Sequence, residues 1–283
     1  MIKIENLTYQ YDSNQKPILA ELNLEIRAGD YVALVGPNGC GKTTFIRHLN
    51  GLLLPVKGDI WIDDWNTKDS ALLPKIRQKV GMVFQNPDHQ IVGTTVEEDV
   101  AFGPGNLNLS PPEIRQRVDR ALEWVGLRHH LQTTSHALSG GEKQLLALAG
   151  VLAIRPIYIA FDEPTSHLDP LSRKRILRVL QKLNSQGIAI IHVTHNMDEI
   201  IHAQRILVMD QGKIILDDNP AAVFTRIELL QKIGLDVPKI SALLWHLRQK
   251  GIALRADILE LDEACLELYR LIKPENTDPV HLV

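Results

Sequence analysis

Cysteine, aromatic side chains and long apolar runs are all scarce in this sequence, and each scarcity removes a class of protein. Two cysteines, Cys40 and Cys265, make no disulfide framework, which points to a reducing compartment. Aromatics are 5% of the 283 residues, and no stacking platform for single-stranded nucleic acid is visible. Neither sign of charge dominates. Lys and Arg total 31 against 34 Asp and Glu, so a net charge of −3 gives no bulk attraction for nucleic acid, and no such partner is expected. The longest apolar stretch, residues 145–154, is too short for a bilayer, which takes about 20 residues. Met1-Ile2-Lys3-Ile4-Glu5 does not start a secretory leader. Any membrane role is therefore expected to pass through a partner. What the chain does have is a 45% hydrophobic share, enough for a substantial core.

The most informative stretch is Gly36-Pro37-Asn38-Gly39-Cys40-Gly41-Lys42-Thr43-Thr44. It fits the phosphate-binding loop, whose glycines let the backbone aim several N–H groups at one anion. Lys42 would reach the β and γ phosphates, and the Thr43 hydroxyl would ligate Mg²⁺. Tyr31-Val32-Ala33-Leu34-Val35 ahead of it reads as a buried strand. Residues 43–49 read as a helix whose positive end faces the phosphates. Cys40, at that helix start and beside a lysine, is expected to have a lowered thiol pKa.

Further along, Ile2, Ile4, Leu7 and Tyr9, then Leu22, Leu24 and Ile26, alternate as antiparallel strands around a polar turn at 12–15. Residues 59–62 read as another strand of that sheet. A buried strand covers 80–84. Residues 87–140 change character, with helical periodicity over Pro111–Val125 and turn signals at Gly103-Pro104-Gly105-Asn106, and read as a helical insertion. Helix 141–154, strand 157–162, helix 170–185 and strand 188–193 follow, with a short helix from Asn196. This alternation predicts a parallel sheet with crossovers. A hairpin turns at Gln211-Gly212, and residues 219–283 are mostly helical, with turns at Gly234 and Pro238 and a polar tail.

Two more motifs carry chemistry. Ile157-Tyr158-Ile159-Ala160-Phe161-Asp162-Glu163 is an apolar strand ending in two acids, where parallel sheets place ligands. Asp162 there would hold Mg²⁺, and Glu163 would polarise the attacking water. Leu138-Ser139-Gly140-Gly141-Glu142-Lys143-Gln144 opens a helix that Ser139 can cap, a second anion site.

Phosphate loop, Leu-Ser-Gly-Gly signature, Asp162-Glu163-Pro164-Thr165 and His195 occur together, and in order and spacing over residues 1–220 the chain resembles an ATP-binding-cassette (ABC) ATPase. The resemblance implies an α/β P-loop NTPase with a RecA-like parallel-sheet core. It adds an N-terminal antiparallel β subdomain and an α-helical signature subdomain at about 87–140. A C-terminal helical extension over 221–283 would serve dimer contacts. It implies ATP and Mg²⁺ as ligands. Tyr11 resembles the aromatic that stacks on adenine, and Gln85 the glutamine that touches Mg²⁺ and senses the transmembrane partner. His195 resembles the histidine on the γ-phosphate. Ser139, Gly140, Gly141 and Glu142 would face a partner's ATP, and Asp169 would lie in the loop through which two copies communicate. Three positions depart from the pattern: Cys40 for serine, Leu145 for arginine and His167 for a small residue.

Residues 84–104 are similar to the energising subunits of energy-coupling-factor (ECF) importers, including cobalt and nickel importers. Asp88 and Gln90 match that group's Pro-Asp-x-Gln turn, where Asp88 would pair with an arginine of the membrane scaffold. The resemblance implies an ATPase on the cytoplasmic face of the membrane, peripheral, paired with itself or a related chain. A transmembrane scaffold and a substrate-binding membrane subunit would complete the complex. The sequence leaves cargo open between metal ions and vitamins. It also leaves as alternatives an ATPase subunit of another ABC transporter class or a soluble, non-transport cassette ATPase, although the coiled-coil insertion or second cassette usual in the latter is not seen.

Overall fold

The computed structural model describes residues 1–12 and 16–272. Ser13, Asn14 and Gln15 of the expected polar turn, and the tail after 272, lie outside the described residues. Strands β1 (Ile2–Tyr9) and β2 (Leu19–Ile26) pair antiparallel, with Ile2 opposite Ile26 and Ile4 opposite Leu24. Their alternation buries one face and leaves the other polar. β3 (Tyr31–Val35) is buried along its whole length and runs into α1 (Lys42–Leu49). β4 (Lys57–Ile62) and β5 (Trp65–Asn66) complete a four-stranded sheet in the order β2-β1-β4-β5.

Next come α2 (Leu73–Lys79), β6 (Val80–Val83), α3 (Val96–Gly105), α4 (Pro111–Val125) and α5 (Gly140–Ala153). β7 (Tyr158–Asp162), α6 (Pro170–Ser185), β8 (Ala189–Val193), β9 (Arg205–Asp210) and β10 (Lys213–Asp218) follow. The chain ends in α7 (Pro220–Phe224), α8 (Ile227–Lys232), α9 (Lys239–Gln249) and α10 (Leu261–Ile272). The second sheet has the order β10-β9-β3-β8-β7-β6, parallel throughout except for the β9–β10 hairpin. That hairpin turns at Gln211 and Gly212, both at positive φ, as a tight two-residue turn requires.

The apolar content divides in three. Phe45, Ile46 and Leu49 of α1 fill the space between the two sheets with Ile2, Ile4, Leu34 and Ile60, all essentially fully buried. Each such side chain contributes about 1.5–3 kcal/mol of transfer free energy, so the phosphate loop is anchored by the helix it starts. The other face of the parallel sheet packs on α3, α4, α5 and α6. Leu244 of α9, Ala264 of α10, and Leu254 and Ile258 of the segment between them form a small separate cluster.

Three elements differ from the sequence reading. Helix α2 and the two-residue strand β5 were not expected. Gly103-Pro104-Gly105 is not a turn but the last turn of α3, whose turn comes only at Asn106. Thr95 and Glu98 fix the start of α3 with a reciprocal capping box, and Pro104 lies in the last turn, where it costs the helix one backbone bond, that to Val100. Gly103 is required by packing: a Cβ there would stand 2.8 Å from Ile154 Cγ1 at the end of α5.

Candidate active site

The loop between β3 and α1 is shaped by its neighbours. A Cβ on Gly36 would stand 2.2 Å from the Met209 carbonyl oxygen, so only glycine lets the loop lie against β9. Gly41 has φ +112°, outside the range of L side chains. Lys42 is buried, and its Nζ donates to the carbonyls of Gly36 at 2.6 Å and Pro37 at 3.0 Å, closing the loop into a ring. α1 has no side-chain cap, whereas α3, α5, α6 and α7 are capped by Thr95, Ser139, Asp169 and Asn219. No side chain claims the first-turn N–H groups of α1, and no acid sits there, which suits a bound triphosphate.

The acidic strand meets this loop. Thr43 Oγ1 donates to Asp162 Oδ1 at 3.0 Å. Burial pushes the Asp162 carboxyl up, and the Thr43 hydrogen bond offsets part of that rise. Hydroxyl, carboxylate and the side-chain amide of Gln85 give an oxygen donor set, which fits Mg²⁺ as a hard cation. Glu163, at φ +48°, follows Asp162 in a left-handed conformation unusual for a non-glycine residue. Gln85 Nε2 donates to Glu163 Oε2 at 3.3 Å, and His195 Nδ1 lies 3.1 Å from the same oxygen. Gln85, Glu163 and His195 follow the carboxyl ends of β6, β7 and β8, so three neighbouring parallel strands deliver one constellation. Tyr11 joins from the other sheet: its hydroxyl is 3.1 Å from Thr44 Oγ1, and its ring stands edge-on to Tyr9 at 5.1 Å.

The thiol expectation fails. Cys40 is buried, and desolvation raises its pKa despite the nearby Lys42 charge. Its sulfur faces the inside of the loop, 2.6 Å from where a Gly36 Cβ would be. A sub-stoichiometric alkylating reagent at neutral pH should therefore modify the exposed Cys265 well before Cys40, as peptide mass spectrometry would read directly.

Ser139 caps α5 in a full capping box with Glu142. Ser139 Oγ donates to Glu142 Oε2 at 2.6 Å, and this bond holds the Glu142 carboxyl below the usual range. Gly141 is packed on α6: a Cβ there would be 2.5 Å from Ser172 Oγ. Asp169 caps α6, accepting from the Leu171 and Ser172 N–H groups at 2.9 and 3.0 Å, so the two helix starts adjoin. His167, before it, has φ +63°. Leu145 is buried in the core beneath α5.

Pro87–His89 forms the short 3₁₀ turn expected beside Gln85. Asp88 already has a cation in its own chain, Lys143 Nζ at 2.8 Å. Gln90 turns inward, with its Oε1 accepting from the Phe84 N–H and its Nε2 donating to the Met82 carbonyl. Gln144 Nε2 donates to the Phe84 carbonyl at 3.1 Å. Lys143 and Gln144 thus tie the signature helix to the loop that follows β6, a role that sequence reasoning missed. Their place in the signature string was the available signal.

The ABC transporter family model matches residues 19–166. The cobalt import ATP-binding protein CbiO of Syntrophus aciditrophicus is 49% identical over 268 residues, 95% of this chain and 96% of that protein. The chain belongs to the ABC transporter family. The ECF transporter ATP-binding protein EcfA1 of Caldanaerobacter subterraneus is 46% identical, covering 93% of this ABC ATPase and 96% of the relative. Among solved structures, CbiO1 from Clostridium perfringens, described as part of the ABC transporter complex cbiONQ, superposes with a TM-score of 0.75 at 37% identity. It covers 86% of this chain and 98% of its own. The dimeric cassette MJ0796 bound to ADP and Pi gives 0.69 at 31% identity, over 77% of this chain and 98% of that one. This ABC ATPase therefore has the cassette fold, with α/β core and helical part. Among its described residues no helix is long and apolar enough to cross a membrane.

Proposed function

We propose that this ATPase is the energising subunit of an ECF-type importer, coupling ATP binding and hydrolysis to uptake of a vitamin or transition-metal ion through separate membrane subunits. The observation that carries the hydrolytic part is the convergence of Gln85 and His195 on one oxygen of Glu163, beside the Thr43–Asp162 pair and the phosphate loop. Residues 36–44 cradle the triphosphate, with adenine on Tyr11. Thr43, Gln85 and Asp162 would hold Mg²⁺, which would neutralise phosphate charge when bound. Glu163 accepts the proton of the attacking water, and His195 orients Glu163 and meets the γ-phosphate. The 139–142 helix start of a facing protomer, the same chain or a related one, closes over that nucleotide, and Asp169 lies in the contact between the two.

Moving such a pair from mostly open to mostly closed takes about 5.5 kcal/mol of differential binding, the order that several charge-assisted hydrogen bonds to a triphosphate provide. The importer reading is supported by the Asp88 turn and by relatives named for cobalt import and energy coupling over nearly the whole chain. An arginine of the membrane scaffold would exchange with Lys143 at Asp88, and that exchange would pull on the signature helix. The extension over 221–283 would serve as a dimer contact, and the chain would act at the cytoplasmic membrane face.

The test is affinity purification of the tagged chain from detergent-solubilised membranes of its source cells. Recovery of a multi-span scaffold and a small substrate-binding membrane protein is expected, with Asp88→Ala reducing recovery. Purification with no membrane protein would refute the importer assignment and favour a soluble cassette ATPase.

A further inference from the structure

We propose that Glu199 is a positioning residue that locks Glu163 and His195 into one catalytic arrangement by clamping the two turns that carry them. The inference rests on the ATPase reading above and assigns work to a carboxylate that the reading does not use. Glu199 closes a short 3₁₀ turn, Met197–Glu199, and is almost completely buried. Thr165 Oγ1, two residues beyond Glu163, shares its one proton between Oε1 and Oε2 of Glu199, at 2.9 and 2.8 Å. Thr194 Oγ1 donates to Oε2 at 3.0 Å, and Asn196 Nδ2 to Oε1 at 3.3 Å. Thr194 and Asn196 flank His195. One carboxylate therefore grips the segment after the acidic strand and both sides of the histidine.

The surroundings make this a rigid joint. Arg173 of α6, one turn into the helix that Asp169 begins, places its Nε 3.5 Å from Oε1 and supplies the facing positive charge. His192 lies below, with Nε2 3.8 Å from Oε2 and Nδ1 3.1 Å from the Tyr31 hydroxyl. Burial pulls His192 down to about 4, so the ring is neutral near neutral pH and Arg173 is the cation that balances Glu199. Glu163 itself sits at φ +48° and His167 at φ +63°, conformations that persist only where the surroundings over-determine them. Ser166 contributes by donating its Oγ to the Glu163 carbonyl at 2.9 Å. The Glu199 clamp supplies the rest, since a turn tethered at Thr165 cannot relax without breaking a buried charge-assisted bond. Through Arg173 the clamp also reaches the helix that starts at the protomer contact.

The test uses the purified full chain with steady-state ATPase assays. Thr165→Val removes one arm of the clamp at nearly constant volume, and Thr165→Ser keeps the hydroxyl. We expect Thr165→Val to lower kcat about ten- to hundredfold, with KM for ATP within about threefold of the parent, because misplacement of a catalytic group costs turnover rather than binding. Thr165→Ser should restore kcat to within about threefold. Combined with Glu163→Gln, Thr165→Val should cost clearly less than it does in the parent background, because the Thr165 arm holds the turn that carries Glu163. Parental kcat in Thr165→Val, failure of Thr165→Ser to restore it, or additive losses in the double variant would each overturn the clamp. Should Thr165→Val not fold, Thr194→Val and Thr194→Ser carry the same expectations. If Glu163→Gln alone matches the parent, the hydrolytic reading falls instead, so the two failures are distinct.

Discussion

Glu163→Gln should lower kcat for ATP hydrolysis by about 10²–10⁴-fold while leaving ATP affinity within a few-fold of the parent. The substitution is nearly isosteric. It keeps an oxygen for the Gln85 amide and the His195 ring to meet, at the positions now 3.3 and 3.1 Å away. What it removes is the basic lone pair that would take the water's proton. In the proposed site the triphosphate contacts would lie elsewhere, on the loop and α1, so binding should be spared. A second consequence follows from the two-protomer scheme. If loss of the γ-phosphate is what lets protomers part, a variant that binds but does not hydrolyse accumulates as a closed pair. Size-exclusion chromatography with ATP and Mg²⁺ should show dimers of Glu163→Gln that ADP does not produce. Turnover equal to the parent would remove Glu163 from the role of base.

The parts of this constellation were legible to different degrees. The loop, the acid pair and the parallel strands behind them follow from local patterns: a glycine-rich turn after a fully apolar strand, and acids where such a strand stops. The start of α5 was also legible, because Ser139 reads as a helix cap; that Glu142 completes a capping box is seen only in the structure. Cys40 was misread because helix-start electrostatics are local, whereas its burial depends on β9 lying across the loop, far away in sequence. Residues 103–105 were misread for a related reason. Gly and Pro signal a turn in isolation, but the Thr95 cap and close packing on Ile154 carry the helix through them. The roles of Glu199 and Lys143 were not legible, even though Lys143 stands in the signature string, since Glu199 reaches Thr165, 34 residues away, and Lys143 reaches Asp88, 55 residues away. Tertiary contacts of that kind have no periodicity to read.

Lys42→Ala should weaken ATP binding by about a hundredfold or more, and Lys42→Arg should not restore it. Lys42 is buried with its ammonium against the Gly36 and Pro37 carbonyls at 2.6 and 3.0 Å. Truncation acts twice. It strips a positive charge from the phosphate site, where a charge-assisted hydrogen bond is worth about 1.5–3 kcal/mol. It also leaves two loop carbonyls without their donor, so the loop loses the brace that holds its N–H groups in register. A loss of about 2.7 kcal/mol corresponds to a hundredfold in Kd. Arginine keeps the charge, but its planar fork is larger and directional, and in this buried site it cannot reproduce the two bonds that a compact ammonium donates to the Gly36 and Pro37 carbonyls. The change is expected to be local, because α1 is anchored by Phe45, Ile46 and Leu49 rather than by Lys42. Titration with a fluorescent ATP analogue, with thermal melts as the control for folding, separates these terms. Near-parental affinity in Lys42→Ala with an intact melt would mean that the loop binds phosphate through its backbone alone, and Lys42 would then be a brace and not a ligand.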